Sequence, residues 1–232
     1  MFLTTDNKIK WKLLGWAAAL TIVLVLAGIV WFDRPLYLFM RGLDCPIWGW
    51  VDTVFAAEIW LAASLIILMA FYVKKSLKSK PKFRNDTKRI SVVAFFNDFL
   101  QKTKSSYAFF IFCSVLSASL VAKVLKTFIG RARPIFFEAL NMTGFYPPSL
   151  EWAFNSMPSG HATATFAGLV MLGLLAPKIK WATWTLAIVV GASRVAYGAH
   201  WPTDVLLGAF IGMVVADLVR AGLKWHPSRG DI

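Results

Sequence analysis

The feature that most restricts this chain is a series of six apolar runs, at about residues 13–32, 55–73, 107–129, 162–177, 181–198 and 203–222. A helix needs roughly 20 apolar residues to cross a bilayer. A soluble single domain does not carry such a pattern, and 58% of the 232 residues are hydrophobic. The expected architecture is therefore all-α: one integral-membrane domain over residues 1–232, with six transmembrane helices in a bundle. Trp11, Trp16, Trp31, Phe32, Trp48, Trp50, Trp60 and Trp201 fall near the ends of these runs, where aromatic side chains anchor at the interface. Lys8, Lys10 and Lys12 give the first run the flank of a signal peptide. Its apolar core is long for that role and no small-x-small cleavage site follows, so an uncleaved helix is expected.

The formal charge of +13 raises the question of a nucleic-acid partner. The basic residues, however, cluster between apolar runs on alternate sides, which is the pattern of membrane topology, and no nucleic acid is expected. Lys74, Lys75, Lys78, Lys80, Lys82, Arg84, Lys88, Arg89, Lys102 and Lys104 assign the 74–106 loop to the cytoplasm together with the amino terminus. Lys178 and Lys180, then Arg220, Lys224 and Arg229, assign the 178–180 turn and the carboxyl end to the same side. The loops at 33–54, 130–161 and 199–202 then face outward. Residues 74–89 read as a solvated basic linker. Residues 90–101 fit either a helix lying flat in the inner interface or an extended start to the third run. Cys45 and Cys113 lie at different membrane depths, so no disulfide is expected.

Three polar clusters fall at the outer ends of the runs: Lys126 to Pro134, Pro158 to His161, and Ser193 to Asp204. Lys126, Arg133 and Arg194 bring three cations to one layer, which is costly near hydrocarbon without anions or water. Arginine's planar fork suits the paired oxygens of phosphate, and lysine adds a point charge. Arg131 is expected only to contact headgroups, and Lys123 falls under the same reading. Pro158 suits a helix start, Gly160 allows close approach to the backbone, Ser159 offers a hydroxyl, and the free N–H groups there can bind an anion. His200 and Asp204 stand four residues apart around Pro202, so a turn into a helix can bring carboxylate to imidazole. Such an aspartate fixes the tautomer and leaves the other nitrogen free to attack phosphorus. His161 is the second histidine of the outer side, and His226 is assigned to the cytoplasm. Two histidines beside one phosphate can divide the work, one attacking and one protonating the departing alkoxide. Neighbouring cations argue against a metal between them.

Together these clusters resemble the signature of the type 2 phosphatidic acid phosphatase (PAP2) superfamily: lysine, six residues, arginine-proline; proline-serine-glycine-histidine; serine-arginine, five residues, histidine, three residues, aspartate. All three match without gap or substitution. The resemblance implies a reaction without metal or other cofactor through a phosphohistidine on His200, with Asp204 in support and His161 as general acid. It further implies that Lys126, Arg133, Ser159, Gly160 and Arg194 hold the phosphate oxygens. The expected enzyme is a lipid phosphatase of a bacterial inner membrane, with its site on the periplasmic side. Its candidate substrates and partners are envelope lipids: lipid A, undecaprenyl pyrophosphate (a polyprenyl pyrophosphate) or the phospholipid phosphatidylglycerophosphate. Transfer of the phosphate to a second lipid is the alternative; vanadate-dependent oxidation and anion transport are less well matched. The aromatic 135–157 loop is open to two readings, a cover for the site or a packed connector.

Overall fold

The computed structural model describes residues 1–4, 8–43, 45–78 and 92–223. The expectations for Lys80, Lys82, Arg84, Lys88, Arg89, Lys224, His226 and Arg229 therefore lie outside the described residues. Among these residues the chain is all-helical, as its apolar runs require. Helix α1 (Trp11–Ala27) continues through a π turn at Gly28–Phe32 into α2 (Asp33–Arg41). Helix α3 (Pro46–Val54) opens on a proline, α4 spans Ala57–Lys78, and α5 spans Val92–Thr103. Then come α6 (Tyr107–Ile129), α7 (Pro134–Leu140), α8 (Gly160–Leu175), α9 (Lys180–Ala196) and α10 (Pro202–Gly222).

Four of these stretches are long and apolar enough to cross a membrane: Trp11–Arg41, Ala57–Lys78, Tyr107–Ile129 and Pro202–Gly222. Gly160–Leu175 is apolar but shorter. Several boundaries depart from expectation. The 33–54 loop is largely helical, because the first run continues across its π turn to Arg41 and Pro46 starts a further helix at its N-terminal turn, where a missing N–H costs nothing. The basic linker begins later than expected, since α4 runs on to Lys78. Helix α5 is an element of its own, not a start to α6: Ser106 caps α6 by accepting from Phe109 N, and its hydroxyl donates to Thr103 O.

The core lies where α8 packs between α6, α9 and α10. Helix α8 is apolar on every side and buries most of its length, including Met171, Leu175 and Val170 against Phe110 of α6 and Ala216 of α10. The close α8–α10 crossing depends on glycine. A Cβ on Gly212 would stand 2.5 Å from Thr163 O, and one on Gly208 would stand 2.7 Å from Ser159 O. The outer helices α1 and α4 turn Leu20, Val23, Leu26, Ile66 and Ile67 outward, as surfaces meeting lipid do. Trp11, Trp16, Trp31 and Trp50 are exposed, whereas Trp201 is buried and its indole donates to Ala132 O. Trp201 is thus a core residue, not an interfacial anchor.

Candidate active site

At the end of α6 the backbone enters the left-handed region at Gly130, with φ of 60°. A side chain there would be strained, and a Cβ would also stand 2.6 Å from Tyr146 O. This turn delivers residues 130–133 into a short extended stretch. On one side Ala132 N donates to Gly144 O and Tyr146 N to Gly130 O; on the other, Arg133 N donates to Ala153 O and Ser156 N to Arg131 O. The 135–157 loop thus folds back over the end of α6. It supplies Trp152, whose ring lies 4.2 Å from the Arg133 guanidinium carbon.

The three sequence clusters meet at one end of the bundle around a cavity of about 310 Å³, lined by Asp52, Lys126, Arg133, Trp152, Gly160, His161, Arg194, Tyr197, Ala199 and His200. Lys126 Nζ donates to Asn155 O at 2.6 Å and to Ser156 O at 3.4 Å. Arg133 donates to Trp152 O at 3.0 Å and Ala199 O at 3.3 Å. Burial, offset in part by Asp204, brings Arg133 down to about 10, so it remains a cation at neutral pH. Gly160 opens α8 at the cavity wall, where a Cβ would meet Lys126 Cε at 3.5 Å. Ser159 is buried as the cap of α8, accepting from Ala162 N at 3.4 Å, and is not among the lining residues.

His200 is 2% exposed. Its Nδ1 lies 3.6 Å from Asp204 Oδ2 and 3.4 Å from Ser156 Oγ, which donates to the same carboxylate oxygen at 2.5 Å. Trp201 N donates to that oxygen as well, at 2.9 Å. Burial above all pushes His200 well below the ordinary imidazole range; Asp204 opposes this, and the charges of Lys126 and Arg133 add to it. The imidazole is consequently neutral at pH 7, with Nδ1 turned toward its supporting groups.

Arg131 does not contact headgroups. It is 5% exposed and lies behind His200, where Nη1 donates to Asp204 Oδ1 and Nη2 to Asp33 Oδ2, each at 2.6 Å. Burial would lower its proton affinity, but Asp204 and Asp33 outweigh that and raise it. Thr203 closes the network by donating from Oγ1 to Asp33 Oδ2 at 2.6 Å and from N to Asp33 Oδ1 at 3.0 Å. The headgroup expectation fails because residue spacing carries no information about burial.

Besides the misassigned Arg131, three residues of the site have no role in the sequence reading: Asp33 and Ser156 behind His200, and Asp52 at the cavity wall. Asp52, on α3, is ion-paired with Arg194 Nη1 and stands 3.3 Å from His161 Nε2. The available signal was weak, an acidic residue in an apolar stretch of the loop assigned to the outer side.

A model described as the PAP2 superfamily matches residues 107–227. A lipid A 1-phosphatase of Rhizobium etli is 33% identical over 201 residues, 86% of this chain and 81% of that protein. An undecaprenyl-diphosphatase of Sulfolobus acidocaldarius is 35% identical over 106 residues, 45% of this chain and 50% of its own length. Among solved structures, a transmembrane PAP2-type phosphatidylglycerolphosphate phosphatase from Bacillus subtilis superposes with a TM-score of 0.59 at 20% identity. That match covers 89% of this chain and 94% of the other and is a likeness of fold.

Proposed function

The chain belongs to the PAP2 superfamily and is a multi-pass membrane phosphatase, and from that premise we propose that it removes phosphate from a lipid at the outer face of a bacterial inner membrane. The 1-phosphate of lipid A is the first candidate, supported by 33% identity over most of a lipid A 1-phosphatase. Undecaprenyl pyrophosphate and phosphatidylglycerophosphate are the next. The observation that carries the chemistry is His200, neutral and buried, with Nδ1 toward Asp204 and Ser156 and its ring at the wall of a cavity lined by Lys126, Arg133 and Arg194.

In the proposed reaction Nε2 of His200 attacks phosphorus and the bond to the lipid oxygen breaks. The departing oxygen takes a proton from His161, and water then cleaves the phosphohistidine with His161 accepting a proton in return. Asp204 stabilises the charge that forms on His200. Lys126, Arg133 and Arg194 hold the phosphate oxygens, with the N–H groups at the start of α8 near Gly160 and the Ser159 cap contributing to the anion site. No step uses a metal, since Lys126, Arg133 and Arg194 outnumber the one lining carboxylate, Asp52, and would repel one. Six spanning helices, with both termini cytoplasmic and the cavity outside, agree with the loop charges; four are long apolar helices, α8 is a shorter apolar one, and α9 is assigned as the sixth.

The test is phosphate release by the purified protein, in chelator, from lipid A, undecaprenyl pyrophosphate, phosphatidylglycerophosphate and phosphatidate. Turnover of at least one is expected, and His200→Ala should abolish it. Silence on all four, or an active His200→Ala variant, overturns the proposal.

A further inference from the structure

A general acid must hold a proton until the leaving oxygen needs it, and the surroundings of His161 work against that. Burial is the main factor that disfavours an imidazolium there, and the charges of Lys126 of α6 and Arg133 of the extended stretch add to it; Arg194 of α9 shares the same cavity. The opposing charges are Glu58 of α4, which acts on the imidazole electrostatically, and Asp52 of α3, 3.3 Å from Nε2. His200, also in the cavity wall, is buried and neutral. Asp52 is the one carboxylate among the described lining residues. Its helix is unusual: α3 buries none of its residues and exposes Ile47 and Trp50, yet Asp52 reaches the cavity between His161 and Arg194.

Resting on the role of His161 proposed above, we infer that Asp52 is a positioning residue that holds His161 in its protonated, proton-donating form. The site then contains two histidine–carboxylate pairs of opposite purpose. Asp204 faces Nδ1 of His200 and leaves Nε2 for attack on phosphorus; Asp52 faces Nε2 of His161 and leaves Nδ1 to carry the proton. As the His200–phosphorus bond forms and the phosphorus–oxygen bond breaks, that proton moves to the leaving oxygen. The water that cleaves the phosphohistidine returns one to His161. Asp52 stays ionised throughout, and its contact with Arg194 keeps that guanidinium at the cavity.

The experiment measures kcat/KM against pH for the full chain in detergent, using the panel lipid that the native protein hydrolyses. Asp52→Asn should lower the plateau about tenfold to a hundredfold, within the contribution of a general acid. It should also move the alkaline limb, where His161 loses its proton, to lower pH. Asp52→Glu, which keeps the charge, should recover most of the activity and the native limb. Because the p-nitrophenolate released from p-nitrophenyl phosphate departs without needing a proton, Asp52→Asn should lose at least tenfold less on that substrate than on the lipid. A loss equal at every pH, or a Glu variant as impaired as the Asn variant with the limb unmoved, overturns the inference. His161→Ala separates the two levels: it should lose the alkaline limb, and a native limb in that variant refutes His161 as the acid and not only Asp52 as its support.

Discussion

Arg131 is the residue on which the buried side of the site turns. Among the described residues it is the one cation that bridges two buried carboxylates, Asp33 and Asp204, each at 2.6 Å. Replacing it with methionine removes the positive charge and leaves both acids buried without a cation. Loss of one partner from a buried ion pair costs about 3–5 kcal/mol, so Arg131→Met should unfold at a clearly lower temperature in detergent than the native chain. A Tm within experimental error of the native value would contradict the network. The same residue marks the limit of reading from sequence. The motif spacing picks out Lys126, Arg133, His161, Arg194 and His200, and the structure brings all of them to one cavity. It is silent on Arg131, Asp33, Ser156 and Asp52, because their importance comes from distances across the bundle, and those exist only after the helices have packed.

Helices were legible to the extent that hydrophobicity encodes them. Runs expected at 107–129 and 203–222 became α6 and α10 with ends shifted by a residue or less. From sequence the stretch from 33 to 54 reads as loop, with Asp33, Arg34 and Arg41 interrupting the apolar pattern, yet the backbone stays helical through the π turn and restarts at Pro46. What the pattern conceals is how closely the helices approach. Thr163 O would stand 2.5 Å from a Cβ at Gly212, so Gly212→Ala must push α10 away from α8, the helix that carries His161. Overpacking of this kind costs about 1–3 kcal/mol. Gly212→Ala should therefore lower both Tm and turnover, whereas Gly222→Ala, where a Cβ meets nothing within 4 Å, should leave the Tm unchanged. Equal behaviour of the two variants would refute the tight crossing.

For the whole molecule, the bias of lysine and arginine predicts a sidedness that labelling can read directly. With Cys45 and Cys113 replaced by serine, a cysteine at Leu150, which is 85% exposed in the returning loop, should react with a membrane-impermeant maleimide on intact spheroplasts. One at Leu77, 82% exposed near the end of α4, should react only after permeabilisation. The reverse result would invert the molecule in the membrane. The network of Asp33, Arg131 and Asp204 adds a dimension of time. A ribosome delivers these residues far apart, the first near the start of translation and the last only when the final helix emerges. An unfinished chain can pair Asp33 with Arg131, but until α10 is made it lacks Asp204, the carboxylate behind His200. The phosphatase centre cannot exist in any nascent fragment that stops short of α10, and its arrival coincides with closure of the bundle.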